Sequence, residues 1–312
     1  MKKTLIAALL LAAASLPAEA QSLTGTLPFY VDATGGQTWK DVADIFGYGL
    51  TDALPGSQNF AVTPARGSAD VADKVASAPT SSLALGLVKS DFLAADIRLA
   101  PDQRKYGKVN WVVAMVAPVL TCVAPQGLDL AKAVILAPGE TSVGHAMAKA
   151  MMEQHQGATL SGEARFPRDL VAGLNEGKTF NVACGIPYAI VARNLKDKVA
   201  VVAAIGPADA LAALKLPDLS AGVAEADRPA FRAAIAGAAF YYALISSAPP
   251  DSEAGKALTQ AMGKLLASKK FLGEIGQFAG RVAPLDTPVL TGIVNDLYAL
   301  SPEDLQKAAE KY

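Results

Sequence analysis

Three short segments of this chain combine glycine with hydroxyl side chains. They are Asp32-Ala33-Thr34-Gly35-Gly36-Gln37-Thr38, Arg66-Gly67-Ser68, and Pro138 to Gly144 with Gly139, Glu140, Thr141 and Ser142. Glycine lets backbone N–H groups approach a ligand closely, and hydroxyls donate to carboxylate oxygens. Each segment lies where an apolar run gives way to a helical pattern. The N–H groups and dipole at a helix head favour an anion there. Ordinary turns and caps use the same residues, so the argument rests on all three occupying the same point of a strand–loop–helix unit. Arg66, Lys89, Arg165 and Arg168 are the cations that could complete such a site. Arginine grips a carboxylate through two parallel hydrogen bonds, which favours Arg66 and Arg165. Each of these charges also has an ordinary reading as a solvated surface group. Phe29, Trp39 and Tyr188 are the aromatics placed to wall a cleft, although Trp39 could equally pack under its own helix.

The residues of acid–base and covalent catalysis are sparse. There are two histidines, His145 beside the third segment and His155 before Gln156-Gly157, where an imidazolium would complement a helix C-terminus. No G-x-S-x-G, HExxH or CxxC spacing occurs, and no dinucleotide fingerprint. Glu140 and Glu163 could serve glycoside chemistry only if they faced one another, which spacing does not establish. Cys184 has no histidine fixed beside it as a thiol nucleophile requires. The chain therefore reads as a binding protein without metal or cofactor, not an enzyme.

The first twenty residues read as a secretory signal peptide. Lys2 and Lys3 precede the apolar run Leu5 to Ala14, and Ala18-Glu19-Ala20 forms a small-x-small cleavage site. That run is too short to span a bilayer, which takes about 20 apolar residues. No cysteine follows the cleavage site to carry a lipid. Trp111 to Val123 is the most apolar later window, but Pro118 interrupts it and it suits a buried strand. The mature chain is expected to be a soluble monomer. With 312 residues, the chain has room for two domains. A net charge of −1 with no basic run argues against nucleic acid or a membrane surface as partner. The two cysteines, Cys122 and Cys184, are compatible with a disulfide or with two buried thiols, and both readings stand.

The elements that must position these residues alternate. Strands are predicted over Leu23 to Tyr30, Asn59 to Pro64, Ser82 to Val88, Val109 to Val123, Val134 to Ala137, Phe180 to Cys184 and Val199 to Ile205. Helices are predicted over Trp39 to Leu54, Ala69 to Ala78, Val143 to Gln154 and Pro167 to Asn175. In the first helix, Val42, Ile45, Phe46, Gly49 and Leu50 share one face. Such alternation predicts an α/β fold with two mixed, mostly parallel sheets flanked by helices. The C-terminal third differs: a strand-like run, Ala239 to Ser247, precedes helices over Ser252 to Ala267, Lys269 to Phe278 and Thr287 to Leu300. Ser301 and Pro302 then read as the cap and first position of a last helix. No linker separates the sheets. Val113–Val123 and Ala239–Ser247 are expected to cross between two lobes, 21–120 plus 242–312 and 121–241.

With these segments in place, the chain resembles the solute receptors of tripartite tricarboxylate transporters, the Bug receptor family. Pro28-Phe29 with Gly35-Gly36 resembles the family's first ligand loop, Arg66-Gly67-Ser68 its second, and Gly139 to Ser142 its third. Leu170 to Pro187 resembles the family's helix, strand and loop before a second carboxylate-facing turn. The most specific match is Leu216-Pro217-Asp218-Leu219 followed by Val223-Ala224-Glu225-Ala226, against an LPDxPTxxEA-like segment. Tyr241-Tyr242 before Ala248-Pro249 resembles its return crossing strand. There are departures. Trp39 stands where an aspartate commonly follows the glycine pair, and Cys184 where the second lobe often offers one. Ala164-Arg165-Phe166-Pro167 replaces a VPYKG-like strand end. Leu83 to Phe92 also looks like the TAXI-type receptors of TRAP transporters, which share the architecture.

The resemblance implies a periplasmic Venus-flytrap receptor. It would hold a small organic solute, a carboxylate first of all, between the lobes and deliver it to an integral membrane transporter or a sensor's periplasmic domain. The glycine loops, the cations, the aromatics and the resemblance together give the expected contacts: Phe29, Gly35, Gly36, Gln37, Thr38, Arg66, Gly67, Ser68, Lys89, Gly139, Glu140, Thr141, Ser142, Arg165, Cys184 and Tyr188. The alternative is an accessory protein that kept the fold and lost the solute.

Overall fold

A computed structural model describes residues 23–56, 58–79, 82–104, 109–115, 119–140, 142–164, 180–195, 198–240, 242–279 and 284–312. The predicted helix over Pro167 to Asn175 lies outside them. Strand β1 (Gly25–Asp32) alternates as a half-covered strand should: Leu27, Phe29 and Val31 are buried on one face. Its chain continues through a 3-10 turn, Ala33–Gly35, into helix α1 (Gly36–Ala53), whose Val42, Phe46 and Leu50 close over that face. Strand β2 (Gln58–Ala65), helix α2 (Ser68–Ala76), strand β3 (Leu85–Val88) and helix α3 (Asp91–Asp96) repeat the unit. Strand β4 (Asn110–Met115) completes the first half.

The second half starts at β5 (Leu120–Ala124). It continues through β6 (Val134–Pro138), α4 (Val143–Gln154), β7 (Thr159–Ala164), β8 (Val182–Pro187), α5 (Tyr188–Asn194), β9 (Ala200–Ile205), α6 (Ala208–Leu214) and α7 (Arg228–Ala234). Strand β10 (Tyr242–Ser246) then returns to the first sheet. After it come α8 (Glu253–Leu266), α9 (Lys269–Ala279), β11 (Pro284–Leu285), α10 (Thr287–Tyr298) and α11 (Pro302–Lys311). Side chains cap α4, α8, α10 and α11: Ser142, Ser252, Asp286 and Ser301 accept the N–H of His145, Gly255, Val289 and Asp304, each three residues on.

The strands form two mixed sheets, in the orders β11-β4-β10-β3-β1-β2 and β7-β6-β8-β5-β9. Their registers fix how the sheets face. Strand β1 runs parallel to β2 and β3, while β10 runs antiparallel to both β3 and β4. The C-terminal ends of β1 to β4 therefore share one edge, and the chain leaves that edge at Met115 and re-enters it at Tyr242. In the second sheet Leu120, the first residue of β5, pairs with Pro187 at the end of β8 and with Ile205 at the end of β9. Strand β6 is parallel to β8. The C-terminal edge of this sheet thus also borders the crossing segments. Both sheets present their strand ends, and the loops that follow them, to the junction between the lobes. Ser90 fastens that junction: its Oγ lies 2.7 Å from the carbonyls of both Gly237 and Phe240 in the return crossing.

The last helix makes its contacts away from the first sheet. Phe231 of α7 meets the Tyr312 ring edge-on at 5.2 Å between centroids. Asp227 accepts from Lys307 at 2.5 Å and from Lys311 at 2.6 Å, and Lys311 also reaches Glu153 at 3.0 Å. The hydrogen bonds from Lys307 and then Lys311 hold the Asp227 carboxyl below the usual carboxylate range. A depressed folded value gives stability that is present above the unfolded value, near pH 4, and is lost as pH falls through the folded one. The stability difference between the wild type and Asp227→Asn is therefore expected to be full at pH 7 and to shrink below about pH 4. Urea midpoints of the two proteins across pH 3 to 7 measure it. A gap that does not change with pH would contradict the ionic account of this contact.

The two cysteines form a disulfide joining β5 to β8, with an S–S distance of 2.03 Å and a sequence separation of 62. Cys122 sits where the register of β5 shifts against both of its neighbours, and Cys184 is its direct partner across the strands. No helix among the described residues is long and apolar enough to cross a membrane.

Candidate functional site

The site is the junction where the two C-terminal edges meet. On the first lobe the chain turns after β1, β2 and β3, and the three turns converge on one side chain, Asp32. It is the last residue of β1 and only 3% exposed. Its Oδ1 accepts from the Thr34 N–H at 2.8 Å and from the Thr34 hydroxyl at 2.5 Å. Its Oδ2 accepts from the Ser68 hydroxyl at 3.1 Å, and Ser68 opens α2. The Ser68 Oγ accepts in turn from the Lys89 N–H, at 3.1 Å, in the turn after β3. Gly67 precedes α2 with φ +150°, a value an L-residue rarely adopts.

Lys89 is the cation this network holds at the junction. Its Nζ lies 4.7 Å from the centroid of the Trp39 ring, and Trp39 packs edge-on against Tyr242, the first residue of the return strand. Trp39 itself is buried in the α1 face, so it packs under its own helix, with the Lys89 ammonium on its ring. Lys89 makes no ion pair with a carboxylate among the described residues, Asp32 included. The Arg66 guanidinium is exposed and also has no carboxylate partner there, although its backbone N–H is bound by Asp70. Gln37 and Thr38 are exposed in the first turn of α1, where the Gln37 amide donates to Asp41 at 2.7 Å. Gly35 and Gly36 lie at the entry to α1.

The second lobe contributes the turn between β6 and α4. Gly139 and Glu140 lie in it, and Ser142 caps α4 by accepting the His145 N–H at 3.0 Å. The head of α4 is held close to β8. Gly144 and Gly185 approach so closely that a Cβ built on either lies 3.0 Å from the other's Cα. Gly185 also has φ +84°. Tyr188 opens α5 directly after β8 and is half-buried. A small cavity of about 160 Å³ joins the lobes beside this turn, lined by Arg98, Glu140, Ser142, Ala146 and Tyr312. Thr141 and Arg165 lie outside the described residues, as does Arg168.

Two expected contacts belong to the core. Phe29 is fully buried under α1, edge-on to Phe60 at 6.2 Å, because its position in the period-two alternation of β1 turns it inward. Cys184 is also fully buried and tied to Cys122, with Met151 packed 3.8 Å from its sulfur. Neither presents a surface to a solute. Asp32 was missing from the expected contacts. The signal for it was the glycine–hydroxyl segment it begins, but nothing there shows that its carboxylate turns inward to meet Ser68, 36 residues on. Among the described residues no group of three or more His, Cys, Asp and Glu side chains could hold a metal ion.

A further cavity, of about 630 Å³, lies between Tyr48, Leu265 and Phe271. Tyr48 lies roughly 18 Å along α1 from the helix head at 1.5 Å per residue, so this cavity is not part of the junction.

No protein-family model and no curated protein matches the sequence. Solved structures do match. A TctC solute binding protein from Polaromonas, without ligand, aligns with TM-score 0.65 at 14% identity, over 91% of this chain and 99% of that one. An R. palustris protein solved with adipate aligns with TM-score 0.55 at 14% identity, over 92% and 98%. A Xanthomonas citri protein bound to ATP aligns with TM-score 0.51 at 8% identity, over 92% and 98%. At these identities the likeness establishes the fold alone, over nearly the whole chain.

Proposed function

We propose that this chain is a periplasmic solute-binding protein that takes a small organic carboxylate between its lobes and hands it to an integral membrane transporter. The observation that carries the reading is Lys89. Its ammonium is held at the junction of the lobes on the Trp39 ring, without a carboxylate partner among the described residues. A cation placed so is ready to accept an anion brought by a solute, and the site is drier than the surface because Trp39 and Tyr242 back it. The α4 head, capped by Ser142, and the exposed Arg66 would bound the same space. The Polaromonas solute binding protein and the R. palustris protein solved with adipate share this fold; the first lends support to solute binding and the second to a carboxylate. The signal-like first twenty residues support the periplasmic location. Closure of one lobe onto the other would bury the solute. In this reading the last helix rides with the second lobe, since its contacts are made there.

The test is calorimetric titration of the full chain with straight-chain mono- and dicarboxylates of two to six carbons. At least one should bind at micromolar Kd. Lys89→Met should weaken that solute by about 10- to 100-fold, because hydrogen bonds to charged groups contribute about 1.5–3 kcal/mol and each 1.4 kcal/mol is tenfold. Unchanged affinity in Lys89→Met would remove the anchor from this account.

A further inference from the structure

We infer that Asp32 is the positioning residue of the first lobe's half-site, holding the Lys89 anchor in place and steering the solute's negative end onto it. The inference rests on the proposed solute reading only for its second clause. Three loops that are far apart in sequence meet at this carboxylate. The turn after β1 donates twice through Thr34, and the head of α2 donates through Ser68. The turn after β3 is attached through the same Ser68 oxygen, which accepts the Lys89 N–H. That backbone bond sets where the Lys89 stem begins, and the stem ends with the ammonium over Trp39. Asp32 and Ser68, both buried, join the three turns as a pair, Asp32 reaching the turn after β3 through the Ser68 hydroxyl.

The charge matters as well as the bonds. A carboxylate has about four acceptor positions, and three of those on Asp32 are filled by neutral donors. It makes no ion pair with a cation among the described residues, so its negative charge is not cancelled locally. It stands at the head of α2, the place where a helix would otherwise attract an anion. A solute carboxylate is therefore repelled from that helix head. Lys89, whose ammonium makes no ion pair among the described residues and lies on the Trp39 ring, is the cation that the Asp32–Ser68 link places to receive it. The arrangement works as one unit: the charge that closes one anion position organises the loop that presents the other.

The chain has two tryptophans, Trp39 and Trp111. This allows a test that needs no solute. In a Trp111→Phe background, all indole emission comes from Trp39, which reports the charge above its ring. Asp32→Ala should shift that emission in the same direction and to a similar extent as Lys89→Met, because both leave the ring without its ammonium. Ser68→Ala should do likewise, since it cuts the link to Lys89 while leaving Thr34 bound to Asp32. It is the second variant if Asp32→Ala does not fold. With a carboxylate that the wild type binds, Asp32→Ala should weaken affinity by about tenfold or more, about 1.4 kcal/mol per tenfold. Asp32→Asn, which keeps an acceptor for Thr34, should fall between the wild type and Asp32→Ala in both readouts. Folded Asp32→Ala and Ser68→Ala proteins with wild-type Trp39 emission would overturn the inference. A wild type that binds no carboxylate would instead overturn the solute reading, and the emission test would still decide the role of Asp32.

Discussion

Replacing both cysteines, as Cys122→Ala with Cys184→Ala, is expected to lower unfolding stability by about 4 kcal/mol. The bridge closes a segment of 62 residues. Loop-closure entropy for that length gives roughly 4 kcal/mol at room temperature on the chain-entropy model. That segment holds β6, α4, β7 and the first half of β8, and with them the turn from Gly139 to Ser142. In a chain of this size the loss corresponds to a fall in Tm of about 10 °C, at roughly 2–4 °C per kcal/mol. Calorimetry of the double variant, and of the wild type unfolded with and without reductant, would measure it. A Tm within about 2 °C of wild type would contradict the claim that the bridge restrains the unfolded chain. Solute affinity at 15 °C should be unchanged, because neither sulfur reaches the junction. A changed affinity would return Cys184 to the ligand surface.

The second large effect is expected at Gly185. Alanine there meets two obstacles at once. Its φ of +84° is in the left-handed region, which costs an L-residue about 1–2 kcal/mol. Its Cβ would also stand 3.0 Å from the Gly144 Cα and 3.2 Å from the Pro138 ring, neither of which is the end of a flexible side chain. Overpacking of that kind costs about 1–3 kcal/mol. Gly185→Ala is therefore expected to destabilise by about 3 kcal/mol. The relief available is to push the α4 head away from β8, and that head carries Ser142 and follows Gly139 and Glu140. Affinity for the solute should fall together with stability. Gly263, which has nothing within 4 Å of a built Cβ, is the control: Gly263→Ala should be neutral or stabilising. A Gly185→Ala protein as stable as wild type would mean that the close approach of α4 to β8 does not hold.

Local pattern carried the reading of this chain where elements are long and amphipathic. The predicted Val143 to Gln154 helix coincides with α4, and the Ser301 cap with Pro302 opens α11 as expected. The predicted strand over Val109 to Val123 contains both β4 and β5, with the crossing between them, because two buried strands in succession look like one apolar run. Helices α5, α6 and α7 have seven residues each, too few to display a helical period, and all three are rich in alanine. The site was legible as a set of loops but not as a set of contacts. The loops after β1, β2, β3 and β6 carry the glycines and hydroxyls that marked them. Phe29 was assigned to the cleft by likeness to a ligand loop, although its alternation with Leu27 and Val31 marks it as core. The Asp32–Ser68–Lys89 chain and the pairing of Cys122 with Cys184 are long-range meetings that no local spacing encodes.

The central claim is that the junction of the lobes holds a small organic acid. Native mass spectrometry of the protein purified from its native cells, repeated after unfolding, is the test. The account predicts an added mass on the folded protein that is lost on unfolding and recovered as a small carboxylate, and its absence from Lys89→Met. A folded wild-type protein that carries no passenger, and that gains no thermal stability from any carboxylate offered, would contradict it.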